Sequence, residues 1–173
     1  MKGARMRVMG VVGWSGSGKT SLLVELLPIF RQMGLEVSTM KHVHHDFDVD
    51  RPGKDSFQHR EAGAAEVMVV SSTRWALLHE SREASEPSIE ALIKRMTPVD
   101  LLLIEGFKTH RHPKLEIHRQ SEGKPLLYLA DPDIVAVASD GSLRGLTIPL
   151  LDLNQPGAIA DFILVHTGLG RQA

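Results

Sequence analysis

One segment of the sequence, GWSGSGKT at 13–20, restricts the fold more than any other. It contains three glycines and ends in Lys19 and Thr20, which satisfies the pattern G-x-x-x-x-G-K-[ST]. A short valine-rich run, 6–12, precedes it, and apolar residues recur at three- and four-residue steps over 22–33 after it. A strand before the pattern and a helix after it predict a phosphate-binding loop, or P-loop, between them.

Each part of this loop has a chemical reason. Glycines let the backbone curl so that successive N–H groups point at phosphate oxygens, and the helix N-terminus adds partial positive charge. Lys19 is expected to reach the β- and γ-phosphates, as a catalytic residue, and the Thr20 hydroxyl to hold Mg²⁺. A turn rich in Gly and Ser that binds nothing is the alternative, which the complete pattern in this context disfavours. The predicted nucleotide-binding residues of the loop are Gly13, Trp14, Ser15, Gly16, Ser17, Gly18, Lys19, Thr20 and Ser21.

A P-loop needs a second acid to manage the metal, and Glu105 is the candidate. It follows the apolar run 101–104 and precedes Gly106, so it is predicted at the end of a neighbouring strand. Aspartate is more usual at such a position. The longer carboxylate could bind Mg²⁺ through a water or position an attacking water, and an acid that only caps a turn is the alternative.

The segment KHVHHDFDVDRPGKDS, 41–56, is a second candidate for chemistry. It follows a predicted strand, so it is expected at the same carboxyl edge of the sheet as the P-loop, where α/β folds bind ligands. We predict Asp46 as a metal ligand and Asp48 as a catalytic residue. A solvated loop is the open alternative, and a transition-metal site of the histidines is disfavoured because no helical His-x-x-x-His pattern occurs.

Strand-like and helix-like segments alternate along the whole chain, which predicts an α/β fold of the P-loop NTPase type. Its three layers are a mostly parallel sheet with helices on both faces, in a single nucleotide-binding domain over 1–173. The predicted strands are 6–12, 35–40, 65–71, 74–79, 99–104, 114–118 and 134–138, and the predicted helices are 22–33, 55–63, 88–96 and 157–166.

Composition excludes several partners and sites. The 20 Lys and Arg nearly balance the 21 Asp and Glu, for a formal charge of -1, so the overall charge does not attract the chain to nucleic acid or an anionic membrane, although local charged patches stay open. No run approaches the roughly 18 apolar residues of a membrane span. Cysteine is absent, which excludes disulfides and thiolate metal sites and fits the expected cytoplasmic location.

Four segments in order, GWSGSGKTSLL, KHVHHDFDVDRPGKDSFQHREAGA, DLLLIEGFK and KLEIHR, carry a more specific resemblance. Together they make the chain similar to the molybdopterin-guanine dinucleotide biosynthesis protein B (MobB) family, from about 6 to 140. The resemblance implies a GTP-binding protein with weak GTPase activity. It also implies a homodimer that assists the partner enzyme, a molybdopterin guanylyltransferase, in attaching GMP to molybdopterin. The residues carried over are the P-loop 13–20, Glu105, and the His/Asp segment with 53–56.

The base-reading residue is assigned by the same resemblance to Ser139 and Asp140, which end the predicted strand 134–138. A carboxylate there would accept hydrogen bonds from guanine, and the usual N-K-x-D signature is missing. Asp140-Gly141 is equally an ordinary turn. The basic segment 108–114 could touch phosphates or the phosphorylated pterin of the partner enzyme, although a solvated loop is the favoured interpretation.

Three functional classes follow. A GTP-binding accessory protein with slow hydrolysis comes first, and a P-loop small-molecule kinase or a nucleotide-gated interaction module without useful catalysis are the alternatives. A kinase needs a lid with several arginines over the transferred phosphate. The sequence shows no such cluster, which disfavours a kinase, because its arginines are scattered at positions such as Arg51, Arg60, Arg74, Arg82 and Arg111. The sequence identifies no arginine finger, so slow hydrolysis is the expectation.

Overall fold

The computed structural model of the chain describes residues 6–43, 49–81 and 86–170. The chain forms two compact units, the first made of Met1–His42 and Met96–Ala173 and the second of Val43–Arg95. Whether these two units belong to the one domain that the sequence analysis expects over 1–173 stays a prediction.

The first unit contains a six-stranded sheet made of β1 Arg7–Val12, β2 Val37–Lys41, β5 Leu101–Glu105, β6 Lys114–His118, β7 Ile134–Ser139 and β8 Leu150–Asp152. Their order in the sheet is β2-β5-β1-β6-β7-β8, and every neighbouring pair is parallel. Strands β1 and β5 pair over Arg7–Val11 with Leu101–Glu105.

Two helices, α1 (Lys19–Gln32) and α4 (Pro156–Thr167), cover one face of this sheet. The apolar stripe of α1 buries Leu22, Leu26 and Phe30 against alternate residues of the strands. Parallel strands covered on their faces are continuously apolar, which is the pattern of β1 and β5. This packing places the N-terminus of α1 at the carboxyl end of β1, where the P-loop was predicted.

The opposite face of β6 buries charged groups instead of apolar ones. Glu116 has no exposed surface and accepts backbone N–H bonds from Leu127 at 2.7 Å and Tyr128 at 2.9 Å. Lys114, also buried, pairs with Asp131 at 2.9 Å. The segment after β6 is therefore held on the sheet by hydrogen bonds to Glu116 and by an ion pair with Lys114. Both buried charged groups thus have a partner.

The second unit contains α2 (Asp55–Glu61), an antiparallel hairpin of β3 (Glu66–Val70) and β4 (Trp75–His79), and α3 (Ile89–Ile93). Paired positions of the hairpin place Met68 beside Leu77 and Val70 beside Trp75 on one face. These four side chains are exposed, and we call them the hairpin face.

The predicted strands and helices are all present. The structure also has two short elements that were not predicted, and it places two of the predicted strands in a sheet of their own. The short strand β8 and a 3₁₀ turn, Gln120–Glu122, were not predicted, because three residues are too few to show a period. The two strands of the hairpin form their own sheet and do not join the parallel one. Among the described residues, no helix is both long and apolar enough to cross a membrane.

Candidate functional site

The loop between β1 and α1 has a backbone that depends on its glycines. Gly13, Gly16 and Gly18 have φ of 153°, 85° and 97°, in the region that favours glycine. At Gly13 a side chain is also excluded by space, because a Cβ would lie 2.5 Å from the carbonyl oxygen of Ile117 and 2.6 Å from Ser17 Oγ. The buried Ser17 hydroxyl thus packs close to Gly13, while Ser15 and Ser21 are exposed.

Lys19 lies at the first residue of α1, and its ammonium group is held inside the loop. Nζ donates to the carbonyl oxygens of Trp14 at 2.7 Å and Gly13 at 3.1 Å. Burial lowers the pKa of Lys19; Glu105 opposes this effect, and Lys108 and Lys41 add to the lowering. The ammonium is therefore partly removed from water, with Glu105 and two other lysines close enough to affect its charge.

Thr20 and Glu105 meet although they lie on different elements. The Thr20 hydroxyl donates to the Glu105 carboxylate, with Oγ1 2.9 Å from Oε1 and 3.1 Å from Oε2. Lys41, at the end of β2, lies 3.2 Å from Glu105 Oε1. The order β2-β5-β1 explains this contact, because it brings three carboxyl strand ends to one place.

The contact between Thr20 and Glu105 fits a magnesium ion. Because Glu105 accepts the hydroxyl proton, the lone pairs of Thr20 Oγ1 are free to face a cation. Mg²⁺ prefers oxygen ligands and is commonly held by one or two protein groups together with waters and substrate phosphates. The predicted ligands Thr20 and Glu105 are thus brought together, and no group of three or more His, Asp or Glu residues among the described positions is arranged to hold a metal alone.

The remaining predicted acids of this region, Asp46 and Asp48, lie outside the described residues. Two described residues of the same segment interact with each other: the Ser56 hydroxyl donates to Asp50 Oδ1 at 2.7 Å. The roles proposed for Asp46 and Asp48 therefore stay predictions.

Ser139 and Asp140 lie at the carboxyl end of β7, as predicted. Ser139 is buried and its hydroxyl accepts the N–H of Gly141, whereas Asp140 is exposed beside a surface cavity of ≈ 380 Å³. Ends of β7 and β8 line this cavity, including Asp152 and Asn154. Asp140 thus lies at a bend and lines an open cavity, and its assignment to guanine stays a prediction.

Arg119 is a site residue that sequence reasoning missed. It directly follows β6, and its Nε donates to the carbonyl oxygen of Ser17 in the P-loop at 3.2 Å. Its Nη1 donates to Asp140 Oδ2 at 3.3 Å. The register of β6 and β7 pairs His118 with Ser139, so the two following residues are neighbours. A signal was present, because the segment KLEIHR ends a strand at the same edge of the sheet as the P-loop.

Two lysines lie near the side chain of Trp14 in the P-loop. Lys108 Nζ lies 4.9 Å and Lys124 Nζ 6.0 Å from the centre of the Trp14 ring, and the indole N–H donates to the carbonyl oxygen of Pro125 at 2.8 Å. These distances are within the range of cation–π contacts. Lys108, the first residue of the basic segment 108–114, therefore lies beside the P-loop.

A parallel sheet with a glycine loop between its first strand and first helix defines a P-loop NTPase-type α/β protein. The family model described as "MobB: Molybdopterin guanine dinucleotide synthesis protein B" matches residues 8–140. This match covers most of the chain, and the chain belongs to the MobB family. The resemblance noted from the four sequence segments is confirmed.

Relatives agree with this assignment, and solved structures agree with the fold. The chain is 41% identical over 160 residues to the molybdopterin-guanine dinucleotide biosynthesis adapter protein of Escherichia coli (strain K12), covering 91% of each chain. It is 40% identical over 156 residues to the adapter protein of Haemophilus influenzae, covering 90% of this chain and 86% of that one. A crystal structure of molybdopterin-guanine biosynthesis protein B has a TM-score of 0.74 at 24% identity, over 92% of this chain and 99% of that one. The structure of Bacillus subtilis MobB has a TM-score of 0.71 at 24% identity, over 94% and 98%. At these identities the solved structures establish the fold, which confirms the predicted fold class.

Proposed function

We propose that this protein binds GTP with Mg²⁺ and acts as an adapter in molybdopterin-guanine dinucleotide biosynthesis. The observation that carries the proposal is the loop 13–20, in which Lys19 and the Thr20–Glu105 pair stand where a triphosphate and its cation are bound in P-loop proteins. The names of the relatives at 40 and 41% identity support the biosynthetic role. Its partner is the enzyme that attaches GMP to molybdopterin.

Each of the named groups has a defined task in this proposal. Backbone N–H groups of the loop and the N-terminus of α1 bind the phosphates. Lys19 leaves the carbonyl oxygens of Gly13 and Trp14 to contact the β- and γ-phosphates, and Thr20 with Glu105 holds the cation. Bound Mg²⁺ would neutralise phosphate charge. Asp140 accepts hydrogen bonds from the guanine edge, for which a carboxylate is suited because it is acceptor-only.

Hydrolysis is expected to be slow. Where a P-loop protein receives a transition-state arginine the rate rises by about 10³–10⁵. Arg119 contacts this loop at the carbonyl oxygen of Ser17, with its other end on Asp140. Its contacts favour a structural task over contact with the γ-phosphate.

Calorimetric titration with GTP and with ATP, each with and without Mg²⁺, tests the proposal. The wild type should prefer GTP, with tighter binding when Mg²⁺ is present. Lys19→Ala should weaken Mg²⁺–GTP binding and abolish hydrolysis, because the ammonium balances phosphate charge. Arg31→Ala is the matched control, since it removes an exposed cation at the other end of the same helix.

Three other results would lead to different conclusions. Full binding by Lys19→Ala would remove the P-loop assignment. Equal affinity for ATP, or a preference for it, would favour the small-molecule kinase and direct attention to an acceptor substrate. Tight GTP binding without turnover would favour the nucleotide-gated interaction module.

We also propose that two copies associate through the hairpin face, formed by Met68, Val70, Trp75 and Leu77. Met68, Val70 and Trp75 are each more than half exposed, and a contiguous apolar surface of this kind typically marks an interaction site. Light scattering should give a dimer for the wild type and a monomer for Trp75→Glu. The control Leu129→Glu alters an apolar side chain that is 74% exposed but stands outside the hairpin. A monomeric wild type, or a dimeric Trp75→Glu, would refute this interface. The cytoplasmic location stays a prediction.

A further inference from the structure

One guanidinium group, that of Arg119, touches both halves of the proposed nucleotide site. On the phosphate side it donates to the carbonyl oxygen of Ser17, and Nη2 lies 3.2 Å from where a Cβ on Gly18 would stand. On the other side it contacts Asp140 at the end of β7. Glycine at position 18 therefore gives the guanidinium room to lie over the loop.

The position of the Asp140 carboxylate is determined by two donors. Oδ2 accepts from Arg119 Nη1 at 3.3 Å, and Oδ1 accepts from the backbone N–H of Gln120 at 3.1 Å. These two hydrogen bonds, with the N–H of Gln120 contributing most, lower the pKa of Asp140, so the group stays ionised. A carboxylate has about four acceptor positions, so it can accept from a ligand as well as from these residues.

The strand order explains why Arg119 can contact both the P-loop and Asp140. The P-loop follows β1 and Asp140 follows β7, with β6 between them, and Arg119 follows β6. Since neighbouring strands lie about 4.8 Å apart, the two ends of a ligand that touches both sites are separated by roughly 10 Å along the edge of the sheet. Arg119 lies at the middle of this distance and connects both ends.

We propose that Arg119 is a positioning residue for guanine discrimination: it fixes the ionised Asp140 carboxylate relative to the P-loop, so that base and phosphates are recognised together. The proposal rests on the proposed function, because it assumes a guanine nucleotide as ligand. A planar guanidinium suits this task, since its donors form a rigid fork that holds two acceptors at once. Without it, Asp140 keeps the backbone N–H bond from Gln120 but loses its contact with the residue that reaches the loop.

An alternative is that Arg119 merely supports the P-loop through Ser17. The two explanations differ for a ligand without a base. Inorganic tripolyphosphate uses the loop but cannot contact Asp140, so its affinity reports loop support alone. The ratio of GTP to ATP affinity reports base discrimination, which a purely structural role at the loop would leave unchanged.

The experiment measures the affinities of the full chain for GTP, ATP and tripolyphosphate, all with Mg²⁺. Arg119→Ala should lower the ratio of GTP to ATP affinity by at least about tenfold, the size expected for a lost charge-assisted hydrogen bond. Its tripolyphosphate affinity should stay within about twofold of the wild type, a change below one hydrogen bond. Combining Arg119→Ala with Asp140→Asn should cause little further loss, because both changes act on one contact.

Two further variants keep the test decisive. Arg119→Lys retains the charge but not the fork, so it should discriminate poorly while preserving the fold, and it replaces Arg119→Ala if that variant unfolds. Arg144→Ala, which removes an exposed arginine shortly after Asp140, should behave as the wild type. Thermal unfolding of every variant confirms that it is folded at the assay temperature.

The outcomes separate this inference from the proposed function. A wild type without preference for GTP overturns the proposed function and this inference with it. A wild type that prefers GTP, with the preference kept in Arg119→Ala and Arg119→Lys, overturns this inference alone. Equal losses for GTP, ATP and tripolyphosphate would assign Arg119 to loop support and also overturn it.

Discussion

His112 should make the stability of the protein depend on pH, through its contact with the strand before the P-loop. The ring lies so close to Gly10 in β1 that a Cβ there would be 2.5 Å from His112 Nε2. Burial, followed by the charge of Lys114 and the neighbouring His110, lowers the pKa of His112 to about 4, although Asp133 and Asp131 oppose the shift. The folded protein therefore holds this ring neutral.

The sign and size follow from the two pKa values. In the unfolded chain His112 titrates at its ordinary value of 6.5, so on acidification the unfolded state takes up the proton first. The contribution of His112 to the free energy of unfolding is thus fully present above the pKa of the unfolded chain, and it is lost as the pH falls towards about 4. At about 1.4 kcal/mol per pKa unit the full shift corresponds to about 3 kcal/mol. Because the ring is only partly buried, solvent screening reduces this to about 1–2 kcal/mol.

Urea unfolding of the wild type and of His112→Asn, at about pH 7 and about pH 4.5, measures this effect. The asparagine does not titrate, so the stability difference between the two proteins should change in favour of the variant by about 1–2 kcal/mol on acidification. His166→Asn is the control, since it removes an exposed histidine from α4. A difference for His112→Asn that is the same at both pH values would refute the reasoning.

Three further predictions concern single contacts. Gly10→Ala should lower the free energy of unfolding by about 1–3 kcal/mol, measured with urea, because the added methyl group would overpack against the His112 ring. The loss should be smaller when His112 is also changed to Ala, and a Gly10→Ala variant as stable as the wild type would show that the ring moves freely. Glu116→Gln should cost about 2–4 kcal/mol, because an amide cannot accept both N–H bonds, whereas exposed Glu122→Gln should be neutral; equal effects of the two would argue against the buried contact. Glu105→Gln should reduce the Mg²⁺-dependent part of GTP binding by about tenfold, measured by calorimetry with and without the ion, and an unchanged Mg²⁺ effect would remove Glu105 from the cation site.

The P-loop and its flanking elements could be predicted from the sequence because their pattern is local. The spacing of Lys19 and Thr20 from Gly13 determines the loop, and the apolar run before Glu105 places that acid at a strand end. The contact between Thr20 and Glu105 also needed β1 and β5 to be neighbours, which is the usual consequence of the fold class.

Arg119 and Lys41 could not be found in the same way. Their places at strand ends could be seen in the sequence, but the role of each depends on which strands are adjacent. Arg119 reaches Asp140 because β6 and β7 pair with His118 opposite Ser139, a register that no short window of sequence contains. The hairpin was likewise predicted as two strands but not as a separate sheet, since its pairing partner is set by the turn at 71–74 and not by composition.

The hydrogen bonds of Lys19 to its own loop bear on the speed of ligand capture. Because the ammonium already ties the carbonyl oxygens of Gly13 and Trp14 together, the loop holds its shape before any anion arrives. Binding then exchanges two hydrogen bonds instead of ordering a flexible segment, so little conformational entropy is lost on association. Encounter should accordingly be governed by long-range attraction to the cluster of Lys19, Lys41, Lys108 and Arg119. The association rate should fall as added salt shortens the Debye length, while the shape of the loop stays the same.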